Sequence, residues 1–170
     1  MVIRSLRSTD FDAVWKVIND AAHAYQGVIP DDRWKDPYMP EAELRDAIQS
    51  GIRFYGWIED DEVQGVMGLQ SIQNTTLIRH SYVLTAHQRR GIGRKLLNHL
   101  VQLAKTPDIL VGTWADATWA IRFYQKHGFR LVSTQEKTHL LRTYWDIPAR
   151  QIETSVVLRL ATRKERARDG

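Results

Sequence analysis

Cysteine is absent from all 170 residues of this chain. Disulfides, thiolate nucleophiles and cysteine metal sites are therefore excluded, and the absence fits a reducing compartment. Six histidines are present, His23, His80, His87, His99, His127 and His139, but none stands at a short metal-ligand spacing, so no metal is expected. Long apolar runs are also missing. The N-terminus, Met1, Val2, Ile3, Arg4, lacks the apolar stretch of a signal peptide, and nothing later approaches membrane-spanning length, so a soluble, cytoplasmic protein with no membrane partner is expected. Strong charge of one sign is missing too: 24 basic against 20 acidic residues leave +4. That balance suits an anionic small molecule. Nucleic acid is not expected as a partner, because no recognition helix or aromatic RNA-binding motif accompanies the arginines. Arg159, Arg163, Lys164, Arg166 and Arg168 cluster at the C-terminal end, and the final stretch, 161–170, reads as a solvated, frayed tail.

What remains fits one domain over residues 1–160 with a sizeable core, since 43% of residues are hydrophobic. Val2 to Ser5 reads as a strand. Ser8, Thr9 or Asp10 can cap a helix whose apolar residues Phe11, Val14, Trp15, Ile18 and Ala22 recur every three or four positions. Gly27 to Pro40 is rich in Gly, Pro and Asp yet carries Trp34, Tyr38 and Met39, which predicts an ordered loop or lid. A helix is predicted over Glu41 to Gln49. Strands over Ile52 to Glu59 and Val63 to Gln73 form a hairpin about the acidic turn Asp60, Asp61, Glu62.

A third extended segment, Thr75 to Thr85, runs into Gln88, Arg89, Arg90, Gly91, Ile92, Gly93 and then a helix to Lys105 with Ile92, Leu96, Leu97, Leu100, Val101 and Ala104 on one face. A glycine turn that opens a helix aims several unpaired N–H groups at one spot, as a phosphate requires, and arginines add charge. Glycine can also serve such turns for geometry alone. Ile109 to Trp114 reads as a buried strand parallel to the one before the turn, because a helical crossover joins them. Asp116 is predicted to cap a helix over Ala117 to His127, stopped by Gly128. A strand over Phe129 to Ser133, a helix over Glu136 to Trp145 and a strand over Ile152 to Leu160 complete the chain.

Two motifs now stand one crossover unit apart: Gln88, Arg89, Arg90, Gly91, Ile92, Gly93, and Ala120, Ile121, Arg122, Phe123, Tyr124 ending in Gly128, Phe129. In this order and spacing the chain resembles the GNAT superfamily of acyl-CoA-dependent N-acyltransferases, over roughly residues 1–160. The resemblance implies an α+β fold: a mixed, mostly antiparallel twisted sheet of about seven strands, splayed between its parallel central strands and flanked by helices. It implies acetyl-CoA as co-substrate, with the pyrophosphate on the turn from Gln88 through Arg89, Arg90, Gly91, Ile92 and Gly93 to Arg94. Tyr82, Val83 and Leu84 would hydrogen-bond the pantetheine as an added strand does. Phe123 and Tyr124 would lie near the thioester, with Tyr124 as general acid for the departing thiolate; the alternative is a core aromatic. His80 is the candidate base by type, against the alternative of a histidine bonded at a sheet face, with Glu59 and Asp116 as further choices or water accepting the proton.

Two positions depart from the pattern. Thr85 stands where the family often has proline. Ala117 stands where it often has asparagine, and Asp116 is the substitute for that polar contact. Tyr25, Trp34, Tyr38, Trp114, Trp119, Tyr144 and Trp145 are candidates for an aromatic acceptor pocket, or simply core. Asp31, Asp32, Asp36 and Glu153 could attract a cationic amine. The expected reaction is acetyl transfer to the primary amine of a small molecule or protein, and a non-catalytic acyl-CoA-binding module is the rival. A homodimer would suit the last strand and the exposed aromatics.

Overall fold

A computed structural model describes residues 1–161; the expected basic tail lies outside the described residues apart from Ala161, while Arg159 of the same cluster is no solvated tail residue but sits in a strand, paired to Glu136 at 2.7 Å and Asp108 at 3.4 Å. Seven strands form one sheet in the order β1-β2-β3-β4-β5-β7-β6. In chain order they are β1 Val2–Ser5, β2 Arg53–Glu59, β3 Glu62–Ile72, β4 Thr75–Val83, β5 Asp108–Trp114, β6 Arg130–Leu131 and β7 Ser155–Ala161. Only β4 and β5 pair in parallel. Six helices cover the sheet: α1 Phe11–Ala22, α2 Glu41–Gln49, α3 Ile92–Leu103, α4 Thr118–Lys126, α5 Thr134–Tyr144 and α6 Ala149–Glu153. None among the described residues is long and apolar enough to cross a membrane.

Alternation along the strands sorts the core onto two faces. Tyr55, Met67 and Ile78 pack with Leu96, Leu97 and Leu100 of α3 and Tyr124 of α4. Their neighbours Phe54 and Val66 pack with Val14, Val17 and Ile18 of α1 and Leu44 of α2, while Leu77 meets Leu140 and Leu141 of α5. The helices bury their apolar stripes, with Asn19 of α1 and Lys137 of α5 buried as well and hydrogen-bonded to the backbone of Met39 and Ile152.

The feature that positions the site is a gap. Register between β4 and β5 ends at Ile78↔Val111, after which β4 continues against β3 and β5 continues against β7. At that point His80 adopts φ +54 and the β3–β4 register slips between Val66 and Gly68. Such a bulge bends the strand and increases its twist. Gly68 permits it, because a Cβ there would lie 2.7 Å from the Arg79 carbonyl oxygen.

Local expectations change in four places. Asp10 takes the N-cap position of α1 but makes no side-chain cap there; its carboxylate instead accepts the Arg7 N–H at 2.7 Å and binds Arg4 at 2.9 Å, closing the 3-10 turn Ser8–Asp10. Asp116 makes no side-chain cap on α4, where buried Ala117 takes the N-cap position. The strand expected from Phe129 shrinks to Arg130–Leu131, since Phe129 is spent in the core on Tyr124. Ile152 is helical, and β7 begins only at Ser155; β-branched composition favours strands but does not set their ends.

Candidate active site

The turn between β4 and α3 combines left-handed backbone at Arg89 (φ 65) and Gly91 (φ 79), and α3 starts immediately after. Among the described residues, no backbone amide from 89 to 94 donates to a backbone acceptor. The first turn of a helix leaves such groups free. Gly91 and Gly93 keep the approach open, since a Cβ at either would meet nothing closer than 3.5 Å. Gln88 donates from Nε2 to the Val83 carbonyl at 3.2 Å, tying the turn to the end of β4. Arg90 is turned to His87 at 3.3 Å, and His87 to Glu62 at 3.3 Å.

A cleft of about 730 Å³ runs from this turn along β4 to α4, lined among others by Tyr82, Val83, Gln88, Arg89, Gly93 and Phe123. Lys126 and His127 add basic groups to its rim. A second cavity, about 130 Å³, occupies the splay and is lined among others by Arg79, His80, Trp114 and Trp145. Tyr25, Ser81, Tyr82, Ala120 and Tyr124 line both, so the two spaces adjoin around Tyr124. The junction exists because β4 and β5 part there.

Tyr124 is 5% exposed, and burial pushes its pKa up to about 12, partly offset by the Ser81 side chain beside it. It stays a proton donor throughout the neutral range. His80 stacks on Phe54 with ring centres 6.0 Å apart. Burial, helped by the Arg79 guanidinium, pushes its pKa down to about 3, so its imidazole is neutral at physiological pH. Burial also raises the phenols of Tyr25, Tyr38 and Tyr82.

Of the residues expected to hold a cofactor, Leu84 and Arg90 do not line the cleft, whereas Tyr82, Val83, Gln88, Arg89, Gly91, Ile92, Gly93, Arg94, Phe123 and Tyr124 do. Leu84 is buried, with its N–H on the Gln64 carbonyl. Tyr25, Tyr38, Trp114 and Trp145 line the inner cavity, with Trp114 Nε1 donating to the Tyr38 hydroxyl at 2.8 Å. Trp119 lines the outer cleft, Trp34 stacks on Tyr38, and Tyr144 packs in the core under α5. The loop Gly27 to Pro40 is ordered by these aromatics. Asp32 is paired to Arg150, which also reaches Glu153; Asp31 and Asp36 are exposed, and neither Glu59 nor Asp116 lines either of these two spaces. Ser81 and Arg79 were not singled out by sequence, because their importance depends on the bulge at His80.

The family model described as the acetyltransferase (GNAT) family matches residues 14–129. The peptidyl-lysine N-acetyltransferase YiaC of Escherichia coli is 29% identical over 99 residues, which are 57% of this chain and 64% of that protein. The match therefore spans less than two thirds of that relative. Among solved structures, the PaiA N-acetyltransferase from Thermoplasma acidophilum in complex with coenzyme A aligns with a TM-score of 0.71 at 18% identity, covering 95% of this chain and 98% of that one. The ribosomal-protein-alanine N-acetyltransferase from Brucella melitensis aligns with a TM-score of 0.66 at 16% identity, covering 95% and 100%. At these identities the structural likeness is one of fold.

Proposed function

Because the chain belongs to the GNAT acetyltransferase family, we propose that residues 1–160 transfer an acetyl group from acetyl-CoA to a primary amine by direct attack in a ternary complex. The observation that carries this reading is that two cavities adjoin around the buried Tyr124, with free amides at the far end of the outer one. The outer cleft suits the donor. Amides 89 to 94 and the Arg89 and Arg94 side chains would hold the pyrophosphate, and the β4 backbone at Tyr82 and Val83, which lacks a β5 partner, would pair with pantetheine amides.

The thioester would then sit beside Ser81 and Tyr124, with the amine entering through the inner cavity. As the nitrogen bonds to the acyl carbon, negative charge moves to sulfur, and the neutral Tyr124 phenol can hydrogen-bond it and supply a proton. The acylated nitrogen becomes strongly acidic and can restore that proton. A phenol held near 12 is suited to this relay because it does not ionise beforehand. His80, with a pKa near 3, is a poor acceptor for the proton of an ammonium group. Its role in this reading is to accept a hydrogen bond from an amine that arrives neutral. Relatives named for peptidyl-lysine and ribosomal-protein alanine support an amine acceptor.

The test is release of free coenzyme A from acetyl-CoA across a panel of amines, beside calorimetric acetyl-CoA binding. Amine-dependent release supports the transferase. Binding without release to any amine would leave only an acyl-CoA-binding module.

A further inference from the structure

The inner cavity is cationic. Arg79 is the only formally charged residue lining it, and no aspartate or glutamate faces it among the described residues. Its guanidinium makes one side-chain hydrogen bond, from Nη1 to Gln70 Oε1 at 3.2 Å, and no ion pair. Gln70 is itself neutral and committed to the Ser50 carbonyl at 3.0 Å. Guanidinium has five N–H donors in a fork that matches a carboxylate, so most of that capacity is unused. A cation drawn partly out of water without a counter-charge is costly. The cost falls when an anion enters.

From this we infer that the acceptor is a small amine that carries its own carboxylate, with the carboxylate on Arg79 and the amine directed past His80 to the thioester. The inference rests on the transferase reading above and narrows its substrate. Three further observations fit it. The cavity, at about 130 Å³, has room for a group of roughly benzene size, so it admits a compact molecule. The acidic residues that would attract a polycation are elsewhere, with Asp32 and Glu153 bound to Arg150 on the surface. His80, which adjoins Arg79 in the same cavity lining and is neutral at physiological pH, can accept a hydrogen bond from the amine once the carboxylate is on Arg79.

The experiment compares kcat/KM for matched acceptors: free L-amino acids, β-alanine and γ-aminobutyrate against their carboxamides, with a lysine-containing peptide of blocked termini as a further arm. The carboxamide has the more available neutral amine, so preference for the free acid would run against amine basicity. At least a tenfold preference for one or more free acids is expected, the scale of one charge-assisted pair. In Arg79→Gln the acid-to-amide ratio should collapse towards one through KM, while Arg79→Lys retains part of it. Acetyl-CoA affinity by calorimetry serves as the control for folding. Equal use of acids and amides by the unaltered protein, acceptance only of carboxylate-free amines or the blocked peptide, or a preference that survives in folded Arg79→Gln would each overturn the inference and leave the transferase standing. Acetyl-CoA binding with no amine accepted removes both.

Discussion

At Tyr124 a single hydroxyl separates two roles that share one location. As a core aromatic the ring matters and the oxygen does not; as a proton donor the reverse holds. Tyr124→Phe is therefore expected to lower kcat by one to two orders of magnitude, the range of general acid catalysis, with acetyl-CoA affinity retained by calorimetry. Because burial holds the phenol near 12, the pH–rate profile should show no falling limb from its ionisation below pH 11. His80 yields a stability prediction of definite sign. Its folded pKa near 3 lies below the ordinary value of 6.5, so the unfolded chain binds the proton more readily as pH falls through 6.5. Stability is fully present above that value and is lost towards pH 3, by at most about 1.4 kcal/mol per pH unit. Urea melts between pH 4.5 and 6.5 should show this slope, and His80→Asn should flatten it, asparagine being tolerant of the left-handed backbone found there. Asp10 has a lowered pKa from its bonds to Arg4 and Arg7, so its own contribution is lost only at more acid pH, outside that window.

At the scale of elements, the β4–α3 turn and the β3–β4 bulge are held open by glycines for different reasons. Gly93 lies in α3 with its missing Cβ directed at Phe123, 3.6 Å away, and Val83, 3.9 Å away, both lining the outer cleft. Gly93→Leu should fold, and should weaken acetyl-CoA binding tenfold or more in calorimetry; full affinity would remove the turn from the donor site. Gly68 is a matter of architecture. Its Cβ would press on the Arg79 carbonyl at 2.7 Å and Ile52 at 2.8 Å, so Gly68→Ala should cost about 1 to 3 kcal/mol, the range for overpacking, and reduce kcat by displacing Arg79, His80 and Ser81 together. Thermal melts and steady-state kinetics measure both. The turn was legible in sequence because its spacing and its strand-to-helix context are local. The bulge was not, because a left-handed histidine between Arg79 and Ser81 in an extended segment carries no compositional mark.

Across the whole molecule, two cavities share five lining residues, and in the proposed reaction they would hold donor and acceptor together before any bond changes. Initial-velocity lines should therefore intersect when both substrates are varied, and intact mass after incubation with acetyl-CoA alone should show no stable acyl-enzyme, as expected of a chain without cysteine. The sequence by itself determined the order of elements, the parallel central pair, the glycine turn and the aromatic motif, because helical period and strand alternation act over a few residues. It also directed attention to Tyr124 and His80. It misassigned side-chain caps to Asp10, whose carboxylate is taken by Arg4 and Arg7, and to Asp116, which makes none, and it began β7 three residues early, where Ile152 is helical. Only the tertiary structure decided that β4 and β5 separate beyond Ile78 and Val111, that Asp32 and Glu153 are bound to a surface arginine, and that Arg79 lines the inner cavity, which no aspartate or glutamate lines among the described residues. Burial and the pairing of charges are relations among segments that meet only on folding, so the identity of the donor was written locally and the character of the acceptor was not.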